Sequence, residues 1–490
     1  MSSAPFRTHR TWTTQPAAAA LVRTVLDDAL ARVPAAAALA GRLLDDLGVR
    51  MLDLLDHLRV GDPALVRAFR EAGWEDDPAH PGVLRNPTGL FPAVLAGGPG
   101  ITVGFKVEYA HEFVAAQQLT APVEGALHAP FRRVRVAAAN GAAFDAIERR
   151  GATGFEPADP SPAQLRAARL QLQAFRARRR AFDDIGVGYD HTDQLVSTAV
   201  GALGQDRACW LWLRAEREYW ESRNRAGRIQ KARQDAHGIG WANQDHHTYD
   251  SSREWFHRNV AVLETLGFEC RELFYAGDAA GWGSQILEQP AIGSVIFADI
   301  DLAPEELDID FAHLQLEPLP YLRRAGLWCA LHGESVLEAG INHLECMYDH
   351  VRMQAALEAA GVAFMPPFSD FPHLYQALTQ GEWWAVDPVR VDALERAGLI
   401  APEQAEDFRL HGAIGSHLEN LERNDGFKGF NQRGIDGVLR IIDPRTNRVG
   451  VCGGVPRRRA RHPWDDSGGV GADGVRQHIR RPEPYRLELP

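Results

Sequence analysis

Apolar residues between positions 16 and 60 recur at spacings of three and four. Leu39, Leu43, Leu44, Leu47, Met51, Leu54, Leu55 and Leu58 fall on one stripe, which predicts helices across this stretch. From about Pro87 to Phe155 the pattern shortens to strands and turns. ITVGFKVEYA and FRRVRVAAA are strand-like, and Gly97, Gly98, Pro99 and Gly100 mark a turn. Ser161-Pro162 sets a favoured N-cap before proline at the first helical position. The helix it opens runs through Leu165, Leu170, Leu172 and Phe175 to about Phe182. In DHTDQ, after Tyr189, Thr192 or Asp193 reads as the next cap, and Trp-rich helical stretches follow to about residue 237.

Beyond Gly238 strand and helix alternate. GWANQDHHTYD reads as a strand, SSREWFHRNVAVLETLG as a helix, and FECRELFYAG, GSQILEQ and GSVIFADIDL as three further strands. That is a β-α-β-β-β unit. A second copy opens at Ile341: INHLECMYD is a strand, HVRMQAALEAAG a helix ending at glycine, and VAFMPPF a returning strand. TVGFKVEYAHEFVAAQQL has the same strand-then-helix outline, without a histidine on its strand. Internal duplication is itself an architectural signal. The fold class expected is α+β, with paired βαβββ modules forming a half-barrel and helical additions at the N-terminus. The expected divisions are a helical region 1–85, a small α+β module 86–160 free of metal, a helical bridge 161–237, the paired domain 238–452, and a Gly/Arg/Pro-rich tail 453–490.

Composition narrows the function. A net charge of −12 over 490 residues argues against a nucleic-acid partner, which needs clustered positive charge. The dense arginines Arg176, Arg178, Arg179 and Arg180 close a helical pattern and read as a solvated face. Five scattered cysteines without a C-x-x-C pair read as reduced thiols rather than a disulfide framework or thiolate zinc site. No apolar run approaches the roughly 20 residues of a membrane helix, and MSSAPFRTHRTWTTQP has no apolar signal core. A cytoplasmic protein is expected.

Side chains alternate faces along a strand. His246, Thr248 and Asp250 therefore share one face, and His343 and Glu345 share a face of the repeat's equivalent strand. If the two modules pack together, two imidazoles and a carboxylate converge on one cation, as in the two-histidine, one-carboxylate facial triad. A lone strand histidine is more often a hydrogen-bonded structural residue; equivalence within a repeat is what raises the metal reading. His247 faces the other way and is the alternative if the register slips by one. His411 and His417 in FRLHGAIGSH, six apart on a strand-like stretch, share a face that lines the pocket or serves structure alone. Cys329 and His332 have C-x-x-H spacing without a second half, and no phosphate loop, dinucleotide fingerprint, nucleophile elbow or zincin helix is present.

From about Gly238 to Arg445 the chain resembles the vicinal-oxygen-chelate superfamily, and within it the 2-oxoadipate dioxygenase/decarboxylase (hydroxyglutarate synthase) family. The resemblance rests on Asp245-His246, LETLGF, VIFADIDL, Ile341-Asn342-His343-Leu344 and Gln432-Arg433-Gly434. It implies iron(II) on His246 and His343, with a late glutamate as third ligand and dioxygen as co-substrate. Two positions depart from the family. Counting back from Gln432 gives Gly429 where the family has its glutamate, so that Glu345 or Asp250 takes over or the metal rests on two histidines. Asp250 stands where the family has an arginine that grips the substrate carboxylate, and an anion there favours an amine or hydroxyl instead. Arg433 could pair with a substrate anion. The expected function is an iron(II) oxygenase (another divalent metal being the alternative) acting on a small molecule, with a reaction related to but distinct from the family's own. An isomerase or lyase of the same fold, with Glu345 as base, and a degenerate small-molecule-binding protein are the competing readings.

Overall fold

The computed structural model describes residues 10–157, 159–278, 280–431 and 443–446. The expected tail and Arg433 lie outside the described residues. Two helices open the described chain, α1 (Pro16–Arg32) and α2 (Pro34–Leu47), each with proline in its first turn. Leu39, Leu43 and Leu47 are buried as the stripe requires, but its continuation is not α-helical: Met51–Leu54 is a single 3-10 turn. Gly48, at φ 71, ends α2, and a Cβ there would meet the Met353 backbone at 2.7 Å. Leu54 then falls in a short turn, and Leu55–Val60 is strand β1.

The first sheet holds two modules back to back. One is β1, α3 (Pro63–Glu71), β2 (Glu75–Asp76), β3 (Val83–Arg85) and β4 (Ala93–Ala96); the other is β5 (Ile101–Lys106), α4 (Ala110–Ala116), β6 (Phe131–Ala139) and β7 (Ala142–Arg149). The order is β2-β3-β4-β1-β5-β7-β6, with β1 parallel to β4, β5 parallel to β7, and β1 antiparallel to β5. Strands on both sides of position 85 therefore belong to one sheet.

Four helices follow: α5 (Pro162–Arg176), α6 (Ile185–Leu203), α7 (Gln205–Arg223) and α8 (Arg225–Ala236). Ser161 and Gln164 form the capping box of α5. The cap of α6 is Asp184, whose side chain accepts from the Val187 N–H, so Thr192 and Asp193 lie inside that helix and not at its start. Half of the arginine cluster departs from the solvated face expected of it: Arg176 and Arg179 are exposed, Arg178 and Arg180 are not. The α-helix stops at Arg176, and the next residues turn inward, where Arg178 and Arg180 donate to the fully buried Glu216 at 2.8 and 2.6 Å. Both guanidiniums also cap carbonyls of the link between the later modules, at Val336 (2.6 Å) and Leu337 (3.1 Å).

The second sheet repeats the plan. Its first module is β8 (Gln244–Asp250), α9 (Phe256–Thr265), β9 (Glu269–Tyr275), β10 (Trp282–Gln289) and β11 (Ser294–Asp301). After α10 (Arg324–His332) the second module is β12 (His343–Met347), α11 (His350–Ala359), β13 (Ser369–Phe371), β14 (Leu374–Leu378), β15 (Glu382–Trp384), α12 (Pro388–Arg396), α13 (Pro402–His411) and β16 (Ala413–Arg423). VAFMPPF contributes only an isolated bridge at Phe364, and β13 begins after it; Pro366 and Pro367 carry no N–H for a ladder. The order β13-β14-β16-β12-β8-β11-β10-β9 reads the same from either end in module terms, with β8 and β12 antiparallel at the centre. This is the paired βαβββ architecture. One apolar core runs through α1, both sheets and α5–α8, and no helix among the described residues is long and apolar enough to cross a membrane.

Glu216 is the anion on which two buried guanidiniums depend, and removing one partner of a buried ion cluster leaves charge uncompensated. Glu216→Ala is expected to cost about 3–5 kcal/mol in a urea unfolding titration. An exposed pair such as Arg352–Asp45 is expected to contribute under about 1 kcal/mol in the same assay.

Candidate metal centre

Register brings the chemistry together. Across the antiparallel pair β8/β12, His246 faces Glu345 and Thr248 faces His343. Across the parallel pair β12/β16, His343 faces His417 and Glu345 faces Glu419. Across β8/β11, Phe297 lies beside Thr248 and Asp299 beside Asp250. His246, His343, Glu345 and Glu419 line one cavity of about 90 Å³, walled by Phe274, Trp282, Phe297, Phe368, Leu378 and Phe430.

Within it, His246 Nε2 is 3.6 Å and His343 Nε2 3.7 Å from the same atom, Glu345 Oε1. Thr248 donates to that oxygen at 3.1 Å. Ligand atoms of His246, Glu345 and Glu419 all lie within 4.8 Å of one another, a group compact enough to hold one ion. His343 is outside that group and joins it through Glu345. The Asp245 carboxylate takes His246 Nδ1 at 2.7 Å and is itself gripped by Arg423 Nε at 2.8 Å and Nη2 at 3.1 Å. This chain fixes the tautomer: Nδ1 carries the proton, and the Nε2 lone pair points into the cavity.

Electrostatics sharpen the picture. Burial disfavours charge on both histidines and lowers their pKa, so they are neutral and able to ligate. Burial also opposes ionisation of Asp245, yet Arg423 and His246 hold its carboxyl well below the usual range. Glu345 is pushed well above the carboxylate range by burial and then by the charge of Glu419, and Glu419 is raised mainly by burial. The two carboxyls face one another across the β12/β16 pair, close enough to hold one ion. Without a cation, burial favours their protonated forms; a cation between them would favour ionisation. Glu345 Oε2 is buried without a hydrogen-bond partner among the described residues. An unpartnered buried ligand atom beside a neutral imidazole is what a divalent ion would satisfy, so the residues present fit one.

The sequence-derived candidates fare unequally. His246, His343 and Glu345 come together. Asp250 is fully buried at the base of the site and does not reach the cavity wall. Arg324 Nη2 donates to it at 2.9 Å and Asn342 Nδ2 also binds it, while its own N–H donates to Ser335 Oγ at 2.8 Å. Arg324, on α10, lines the cavity together with Asp299 and binds that carboxylate too. Gly429 is not at the cavity either. Its carbonyl accepts from Arg423 at 2.6 Å, and a Cβ on it would meet Phe427 and Trp12. His411 is helical, not on a strand: Pro402 opens α13 and Gly412, at φ 73, closes it one residue after His411, which sits half-exposed 3.8 Å from Asp407. His417 does lie on β16, where its Nδ1 is 3.1 Å from the Thr379 carbonyl; it packs against His343 and does not line the cavity. His247 points away, towards Arg217.

The sequence reading missed Glu419, and a signal for it was there. His-Leu-Glu occurs at 343–345 and again at 417–419, and the parallel register lays the two tripeptides side by side. Arg324 and Asp299 carried no such mark.

No family model and no curated protein matches the chain. Solved structures do align with it. Hydroxyglutarate synthase from Oryza sativa, in complex with 2-oxoadipate, is 13% identical over 59% of this chain and 98% of its own, with a TM-score of 0.30. A variant of 4-hydroxymandelate synthase from Streptomyces coelicolor is 12% identical over 69% of this chain and 95% of its own, with a TM-score of 0.29. Methylmalonyl-CoA epimerase from Mycobacterium tuberculosis is 14% identical over 37% of this chain and 89% of its own, with a TM-score of 0.20. The strand order itself shows two βαβββ modules joined through their first strands. What happens at the cavity rests on its residues.

Glutamine at position 419 can still accept from Gln376, now at 2.8 Å, and can donate to Glu345. Glu419→Gln is therefore expected to raise the melting temperature of chelator-treated protein by a few degrees, a shift on the order of 1 kcal/mol. Glu345→Ala, which orphans the Thr248 hydroxyl, is expected to lower it in the same scan.

Proposed function

We propose that this chain is a metal-dependent enzyme acting on a small molecule, with a divalent ion held by His246, Glu345 and Glu419 and with His343 as the fourth polar side chain at the centre. The observation that supports this most directly is the convergence of both imidazoles on Glu345 Oε1 inside an apolar cavity. Two carboxylates and two neutral imidazoles suit a dication better than they suit one another.

Iron(II) is the metal we assign and oxygenation the reaction class. The ion would supply Lewis-acid polarisation of substrate oxygens and, as iron(II), electrons for dioxygen chemistry. The chain's own contributions are distinct. Asp245 and Arg423 hold the His246 ring in place, and Thr248 orients Glu345. The wall of Phe274, Trp282, Phe297 and Phe430 excludes water and takes the apolar body of the substrate. Arg324 presents a guanidinium whose Nε is buried without a partner among the described residues. Asp250 and Asp299 offset its charge, so it suits a carbonyl or hydroxyl oxygen of the substrate.

One feature favours a second reading. The extra carboxylate is free to act as a base, and a metal-assisted proton transfer, as in an isomerase or lyase, needs such a group next to the ion. Oxygen uptake separates the two. Protein reconstituted anaerobically with iron(II) is expected to consume dioxygen in the presence of small oxo or hydroxy acids. Turnover on manganese or zinc without oxygen uptake would assign the proton-transfer reaction instead.

Metal binding itself is tested by elemental analysis of protein purified without chelators, where close to one ion per chain is expected. Asp245→Asn, which leaves every ligand in place but weakens the hold on His246, is expected to reduce metal affinity about 10–100-fold. Wild-type protein that takes up no divalent metal in an equilibrium titration would sink the enzyme reading and leave a small-molecule-binding protein.

A further inference from the structure

A second cavity, of about 180 Å³, lies between the first sheet, α7 and the turn joining β10 and β11. Its walls include Lys106, Arg149, Arg217, Trp210, Trp241 and Phe155. None of them belongs to the metal centre.

The charges around this cavity do not balance. Arg149 is taken by Asp56, at 2.8 Å through both Nε and Nη2, and by the carbonyls of Ala152 and Gly154. Glu108 is held by Lys231 at 3.4 Å and by the Trp241 N–H at 2.9 Å. Lys106 is left over, and Arg217 has only a share of the Glu108 charge that Lys231 also takes. Lys106 has no hydrogen-bond or ion-pair partner among the described residues. The carboxylates whose charge acts on it, Asp56, Asp245 and Asp53, are each held by an arginine already: Arg149, Arg423 and Arg50. Arg217 donates through Nη1 to Gln244 at 2.7 Å and faces His247 at 3.4 Å, while its Nε is buried without a partner among the described residues.

Two cations line one space, the half-buried Lys106 without a counter-ion and Arg217 with a shared one, and unpaired charge away from bulk water is costly. Burial lowers the Lys106 ammonium from its ordinary pKa, as expected of an amine short of an anion. The indole of Trp210 and Trp241 and the ring of Phe155 give the same space flat apolar walls.

We propose that this cavity is a binding site for a small organic anion, a carboxylate or a phosphate ester with a flat apolar body, whose charge is met by Lys106 and Arg217. The site is separate from the metal centre but touches the same strand, because Arg217 contacts Gln244 and His247 of β8.

Benzoate and phenyl phosphate are suitable probes, one for each anion chemistry, and Trp210 and Trp241 supply a fluorescence readout that calorimetry can confirm. Saturable binding of at least one probe to the full chain is expected, with a dissociation constant of about 1 mM or tighter. Lys106→Met is expected to weaken it at least about tenfold, while Lys106→Arg stays within about threefold of wild type. Lys106→Gln gives the same readout should the methionine variant not fold. Glu419→Gln, at the other cavity, is expected to bind the probes as wild type does. Saturation by benzoate alone assigns a carboxylate ligand, by phenyl phosphate alone a phosphate ester, and by both an anion of either kind. The proposal is overturned if neither probe saturates below about 50 mM. It is equally overturned if the Lys106 variants bind as tightly as wild type, or if Glu419→Gln loses binding as they do.

Discussion

Burying ionisable groups in an apolar cavity is the constraint on which the rest of this structure turns. Glu345 and Glu419 face one another beside two neutral imidazoles, and a carboxylate taken from water needs either a proton or a cation. Asp245 and Arg423 satisfy one another behind His246, and Arg324 is shared by Asp250 and Asp299 at the base. Asp245 is held well down by its arginine, whereas Asp250 and Asp299 share a single one and burial pushes both upward, as it does Glu345 and Glu419.

That crowding of buried carboxyls depends on the duplication. In each module the first strand runs parallel to the last, and the two first strands meet antiparallel at the centre of the sheet. Residues at equivalent positions of the four central strands are therefore brought to one concave face. The first sheet has the same strand arrangement, but at its centre Gly104 lies opposite His57, whose ring occupies the space a Cβ would fill, and His57 is paired to Asp56. The same architecture thus carries a concentrated acid–imidazole cluster in one sheet and a locally satisfied histidine in the other.

Much of the fold could be read from the chain because periodicity is local. The duplication beginning at Gly238 and Ile341, the Ser161-Pro162 helix start and the facing of His246 against His247 all follow from neighbours within a few residues. The misreadings came where local pattern is ambiguous. A stripe of leucines spaced by three and four continued past Gly48 into a turn and a strand, because an alternating strand and a short helix can share the same few apolar positions. His411 was placed on a strand whose first residue is Ala413, since Gly412 closes a helix as readily as it opens a strand. At the site, Glu345 was legible from alternation alone, whereas Glu419 required knowing which strand lies beside β12.

By itself the sequence determined the module outline, the two histidines at repeated positions and the carboxylate two residues after the second, all of which are encoded by spacing along one strand. Only the tertiary structure decided that Glu419 joins them, that Asp250 shares Arg324 of α10 with Asp299, and that Lys106 faces an open cavity without an anion of its own. The reason is physical. Spacing fixes which face a side chain takes, but whether a charge is paired depends on residues that meet it from 70 to 180 positions away, as Arg324 meets Asp250 and Arg423 meets Asp245.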